Sequence, residues 1–127
     1  MYQTLTDYLP EVEKKAAGDW TIHSEEPMPF IAYIPLVSDF EEAVYNFSES
    51  HPEYELGHYQ DILKANGIVA GVESMQNADV SQMDGKSIMA LFVGAVRAER
   101  YMQGALLDLF ESGAIKKWLL RLKEIDG

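Results

Sequence analysis

Glu99 is the residue whose type and place most demand a chemical explanation. On a helical wheel at 100° per residue it falls between Ile88 and Phe92, in the middle of an apolar face built from Ile88, Leu91, Phe92, Ala95, Ala98, Met102, Leu106, Leu109 and Phe110. A carboxylate there is costly to bury unless it is paired or hydrogen-bonded. It needs an Arg, Lys, His or Tyr, a helix N-terminus, or a water-holding cavity beside it. Arg97 and Arg100 flank it but point away by about 160° and 100° on the 3.6-residue wheel. The partner is therefore expected from another element: the irregular stretch Asp19 to Pro35, or His58 and Tyr59 of a third helix. Two chemistries follow. Glu99 is either a poised acid or ligand-binding group, with Arg100 and Tyr101 beside it as ligand-binding candidates, or a satisfied polar group that fixes helix register. Gly94 and Gly104 stand on the same segment. Glycine inside a helix costs up to ~1 kcal/mol and permits a close approach, by a ligand or by a crossing helix.

No other constellation of this kind stands out. Asp84-Gly85-Lys86-Ser87 carries the Gly-Lys-Ser end of a phosphate-binding loop, but Val80 occupies the position of the first required glycine and no strand precedes it. Asp84 reads instead as a helix cap. The histidines are His23, His51 and His58; Pro52 and Gly57 interrupt the last two, and no His-x-x-x-His pair exists. No serine occupies a Gly-x-Ser-x-Gly elbow. Cysteine is absent, which removes disulfides and thiolate chemistry and suits a reducing compartment. We therefore expect no catalytic residues, no metal site and no cofactor, and a non-enzymatic role ahead of an enzymatic one.

A chain of 127 residues with 47% hydrophobic residues matches the size of one domain with its own core, so a single helical domain over 1–127 is expected. The N-terminus lacks the features of a signal peptide, and the longest apolar run, Ile88 to Val93 extending to Val96, is about half a membrane span. A cytoplasmic protein is expected. The net charge is −11, unevenly placed: residues 1–96 carry four basic groups against sixteen acidic ones, whereas 97–127 carry six against five. Nucleic acid and anionic membranes should be repelled over most of the surface, and only the C-terminal third can offer a local basic face.

The elements that must position these residues are helical. A first helix is expected over Leu5 to Ala17, and an irregular segment at about 19–35, in which Trp20-Thr21-Ile22 or Phe30 to Ile34 could be a short strand. A second helix opens at Ser38 with Glu41 as its capping box, and His51-Pro52 stops it. A third covers Leu56 to Ala65 and ends at Asn66-Gly67; Ile68 to Ala78 reads either way. Ser81 to Ser112 is one long helix, or two with a break near Gly104. Apolar on nearly all sides from Ile88 to Val96, it is the central buried helix and the most buried stretch of the chain. After the stop at Ser112-Gly113, Ala114 to Ile125 is amphipathic, with Ile115, Trp118, Leu119, Leu122 and Ile125 inward. The expected fold is an all-α, single-domain bundle of five or six helices.

The run Arg97 to Gly104, then Glu111-Ser112-Gly113, then Leu119 to Lys123 resembles an uncharacterised bacterial family, domain of unknown function 6508. Its members show Arg-Glu-Arg-aromatic-x-x-Gly, a helix ended by glycine and a closing Leu-x-x-Leu helix. Tyr8-Leu9-Pro10 and Tyr59 to Ile68 are similar to family segments as well, so the resemblance spans most of the chain. Glu99, Arg100, Tyr101 and Gly104 match the pattern, while Ala98 intervenes after Arg97. The resemblance implies a helical fold and a bacterial origin, and it implies no activity.

The functional expectation is a small acidic interaction or regulatory module acting as a homo-oligomer, with an unidentified protein partner as a further option. Leu120, on the polar side of the last helix, marks the contact, with Trp118 beside it. The alternative is a small-ligand or anion-binding protein, or an enzyme, with its site around Glu99, Arg100 and Tyr101.

Overall fold

The fold is that of a computed structural model, which describes residues 2–14, 35–69, 71–102 and 104–126. Its central element, the helix Gly85–Tyr101, is started by Asp84, whose Oδ1 accepts from the Ser87 amide at 2.9 Å. The hydrogen bonds from Ser87 hold the Asp84 carboxyl below its ordinary range. This is the N-cap the sequence predicts, satisfying a donor that the first turn cannot. In chain order the helices are α1 (Gln3–Thr6), α2 (Leu9–Lys14), α3 (Pro35–Ser50), α4 (Tyr59–Ala65), α5 (Val72–Gln76), α6 (Gly85–Tyr101), α7 (Ala105–Glu111) and α8 (Ala114–Asp126). Two 3₁₀ turns, Pro52–Tyr54 and Leu56–His58, lead into α4. No strand occurs among the described residues, and the fold is all-α.

Several boundaries differ from the sequence reading, each for a local reason. The first helix is not continuous from Leu5: it breaks at Asp7 and Tyr8, because Pro10 has no N–H to offer the carbonyl four residues back. The second begins at Pro35, not Ser38. Proline at the first helical position sacrifices only a donor that would be unpaired anyway, so the Ser38–Glu41 capping box does not form the start and Glu41 is left for another role. The third is α-helical only from Tyr59, because Glu55 adopts positive φ (51°) between the two 3₁₀ turns. Within the ambiguous stretch 68–78, α5 forms. The expected strand runs at 19–34, and the end of the first helix at 15–17, lie outside the described residues.

Other signals act as expected. Gly67 (φ 75°) ends α4, with the Ile68 amide on the Leu63 carbonyl at 2.9 Å and the Gly67 amide on Lys64 at 3.0 Å, while Leu63 and Ile68 are both buried. Asn66 then donates to the Ser87 hydroxyl at 2.9 Å, fixing the end of α4 to the start of α6. Gly113 (φ 85°) separates α7 from α8.

Every residue from Ile88 to Val96 is buried. Phe92 meets Phe40 of α3 and Trp118 of α8 edge-on, each at 5.4 Å between ring centroids, and Phe40 meets Phe110 of α7 at 5.8 Å. These four rings join four helices into one core in the edge-to-face geometry that aromatic quadrupoles favour. Gly94 faces side chains of both α4 and α5: a Cβ there would stand 3.0 Å from Met75 Sδ and 3.4 Å from the Tyr59 ring. The glycine therefore serves the helix crossing. No helix among the described residues is long and apolar enough to cross a membrane.

Candidate functional site

The C-terminal end of α6 is where Glu99, Arg100 and Tyr101 sit, and the fold sends their side chains to different places. Glu99 is half-buried. Its carboxylate accepts from the Gly104 amide at 3.2 Å to both oxygens and from the Leu106 amide at 3.0 Å. Gly104 is the N-cap residue of α7, in the left-handed region at φ 96°, and Leu106 is the second residue of that helix. Glu99 thus supplies from one helix the acceptor that the N-terminus of the next one needs, where negative charge also opposes the positive end of the helix dipole. Of the kinds of partner the sequence allows, a helix N-terminus five to seven residues downstream is one that holds the carboxylate; the 19–34 stretch lies outside the described residues. The wheel treats α6 and α7 as one straight rod, so it cannot show that the start of α7 brings new amides back to Glu99.

Arg100 is exposed and turns to α3, donating to the Tyr45 hydroxyl at 2.6 Å with its guanidinium 5.4 Å from the centre of the Tyr45 ring. Arg97 lies 5.7 Å from the centre of the Tyr59 ring. Tyr101 is 89% exposed. Glu41, released from its expected cap, joins this corner. Its carboxyl is pushed above the ordinary 4.5 by burial and by the negative charge of Glu99, with Arg100 opposing. Its favourable contribution to stability is present below the ordinary glutamate pKa and lost as pH rises through the raised value. The corner is thus a network that ties α3, α6 and α7 together. Glu41 and Tyr45 are the members that sequence reading missed, since only the packing of α3 on α6 brings them there.

Replacing Glu99 by Ala removes the cap, so a stability loss of about 1–2 kcal/mol is expected. Glu99→Gln keeps an acceptor for these amides and should lose less than Glu99→Ala; urea titrations of the two variants give the comparison. Equal stability of Glu99→Ala and wild type would contradict the capping role.

A second region offers open surface. Val69 (75% exposed) and Met102 (58%) flank a groove of about 700 Å³ whose walls include Val72, Glu73 and Asp108. Met102 was expected on the inward face. Instead α6 ends at Tyr101 and Met102 is extended (φ −139°, ψ 99°), which turns it off the wheel. Next to this groove lies another of about 570 Å³, lined by Lys116, Lys117, Leu120 and Arg121 of α8 and by residues 77–81. Asn77 belongs to both. The α8 groove is firmly built: Lys117 Nζ donates to the carbonyls of Gln76 and Ala78 at 3.0 Å each, and Arg121 Nε to Met83 at 3.0 Å. Leu120 is 39% exposed in it, as its polar-side position predicts, whereas Trp118 is fully buried and cannot reach a contact surface. Among the described residues no cluster of three His, Asp or Glu side chains is placed to hold a metal ion.

A family model described as a family of unknown function, DUF6508, matches residues 2–127. The chain belongs to that family. The match covers every described helix of this DUF6508 chain, from α1 to α8, and so includes both the Glu99 corner and the paired grooves. No curated protein and no solved structure matches it.

Proposed function

We propose that this protein is a non-enzymatic interaction module that works as a homo-oligomer in the cytoplasm. One observation carries the reading. Of the four large hydrophobic side chains exposed among the described residues, Val69 and Met102 line one groove, Leu120 lines the adjoining groove, and Tyr101 neighbours Met102 in the chain. Scattered apolar side chains are ordinary on a surface, but apolar groups gathered about two contiguous depressions mark an interaction face. The Glu99 corner supports the same reading from the other side, because its carboxylate and Arg100 are engaged in joining helices. A cytoplasmic setting accords with the cysteine-free, acidic composition.

Sedimentation equilibrium across a range of micromolar concentrations tests the proposal. The expected result is a weight-average mass that rises toward twice 14.3 kDa or more. A mass that stays at 14.3 kDa up to hundreds of micromolar would end it.

A further inference from the structure

The two adjoining grooves differ in charge, and the difference specifies what each can receive. The groove beneath Val69 and Met102 carries the carboxylates Glu73 and Asp108. The α8 groove carries Lys116, Lys117 and Arg121 around Leu120, against Asp79 and Glu124. Arg121 is paired with Glu124 at 3.2 Å, so the α8 groove carries a net charge of about +1 with Lys116 as its outer cation, beside an apolar groove whose charged groups are both acidic, in a chain of net charge −11. We infer that the occupant of each groove is the other groove of a second copy: the Val69–Met102 rim, bearing Asp108 and Glu73, docks on the Lys116–Leu120–Arg121 surface of its partner, and the partner's rim docks back in the same way about a two-fold axis near Asn77. The inference rests on the self-association proposed above and adds the face and the pairing.

Three physical arguments support this occupant over others. A two-fold contact requires that a surface be complementary to itself, so that residue i meets j while j meets i. Two complementary grooves that share a wall residue meet that requirement, whereas a uniformly acidic face would repel its own copy. Second, the local charges oppose the global repulsion between two chains of −11, so this face offers a second copy an attractive approach that most of the acidic surface does not. Third, the two grooves together are lined by about twenty residues, close to the 20–30 per side of a standard protein interface. Met102 is suited to the insertion: it is extended from the end of α6 and unbranched, and a thioether side chain fills irregular gaps well.

The test uses charge reversal in whole chains, read by sedimentation. Asp108→Lys alone places like charges opposite each other at both symmetric contacts, and so does Lys116→Glu alone. Each variant should weaken self-association about tenfold or more, because like charges brought together at a contact are strongly disfavoured. In an equimolar mixture of the two variants every Asp108–Lys116 contact again joins opposite charges, and a mixed dimer should reappear with affinity near that of wild type. Circular dichroism and the melting temperature of each variant verify folding, and Glu73→Lys serves in place of Asp108→Lys should the latter fail to fold. If wild type is monomeric throughout, self-association itself fails, and this pairing with it. If wild type associates and both single variants associate equally well, another face is used and only the pairing is overturned. Weakened single variants whose mixture does not recover also overturn it, and in that case a basic segment of a different protein becomes the better occupant of the acidic groove.

Discussion

Trp118→Ala should lower the stability of this protein by about 4 kcal/mol, within the range found when a large buried aromatic is truncated. Trp118 has no exposed surface and its ring meets Phe92, which in turn meets Phe40, so the cavity would open at the centre of the contact between α3, α6 and α8. Rings bonded into an edge-to-face chain cannot collapse onto the space without leaving their favoured geometry, so the cavity term should persist. In a domain of this size the loss corresponds to a fall in melting temperature of about 15 °C. Trp118→Phe is the informative control. The indole Nε1 is buried without a hydrogen-bond partner among the described residues, so its removal strands no acceptor. That variant should lose less than half as much. Calorimetry of the two proteins measures both numbers, and a loss under 1 kcal/mol for Trp118→Ala would contradict the central position of the residue.

Gly94→Leu is expected to cost about 3 kcal/mol, the upper part of the usual range for overpacking. The backbone of α6 at Gly94 is approached by Met75 of α5 and Tyr59 of α4, and a branched side chain would have to push both helices outward. Gly94→Ala behaves differently. Its single methyl would meet Met75 Sδ at 3.0 Å, and a flexible thioether can yield a few tenths of an ångström. Alanine also gains up to ~1 kcal/mol over glycine inside a helix. The alanine variant should therefore lie close to wild type, and the contrast between the two separates steric exclusion from helix propensity. Wild-type stability in Gly94→Leu, measured by urea titration, would mean that α4 and α5 are not seated on α6 as described.

The features that were legible in the sequence are those set by residues within one turn of each other. The Asp84 cap, the Gly67 and Gly113 stops and the all-round burial of Ile88 to Val96 depend on local geometry or on a single helical period, and periodicity reports both. The inward face of α8 was legible for the same reason. What was not legible depends on a reversal of the chain or on contacts between distant segments. Glu99 reads as a carboxylate needing a partner, but the amides of Gly104 and Leu106 reach it only because the chain turns at Gly104. Met102 changes from core to surface with that same turn. Lys117 reads as a solvent-facing charge, yet it and Arg121 anchor carbonyls 38 to 41 positions earlier in the chain, and those bonds help to build the α8 groove. The capping box at Ser38 and Glu41 shows the converse error: a valid local pattern was superseded by a proline three residues before it.

The central claim is that the adjoining grooves are a self-association face, and amide and methyl NMR spectra recorded on dilution test it most directly. On dilution from millimolar to low micromolar concentration, signals of Val69, Met102, Lys116 and Leu120 should shift together and fit one dissociation constant, while those of Ile88 to Val96 and of the Glu99 corner stay in place. Signals of the two grooves that do not change with concentration, or concentration-dependent shifts confined to other surfaces, would contradict the claim.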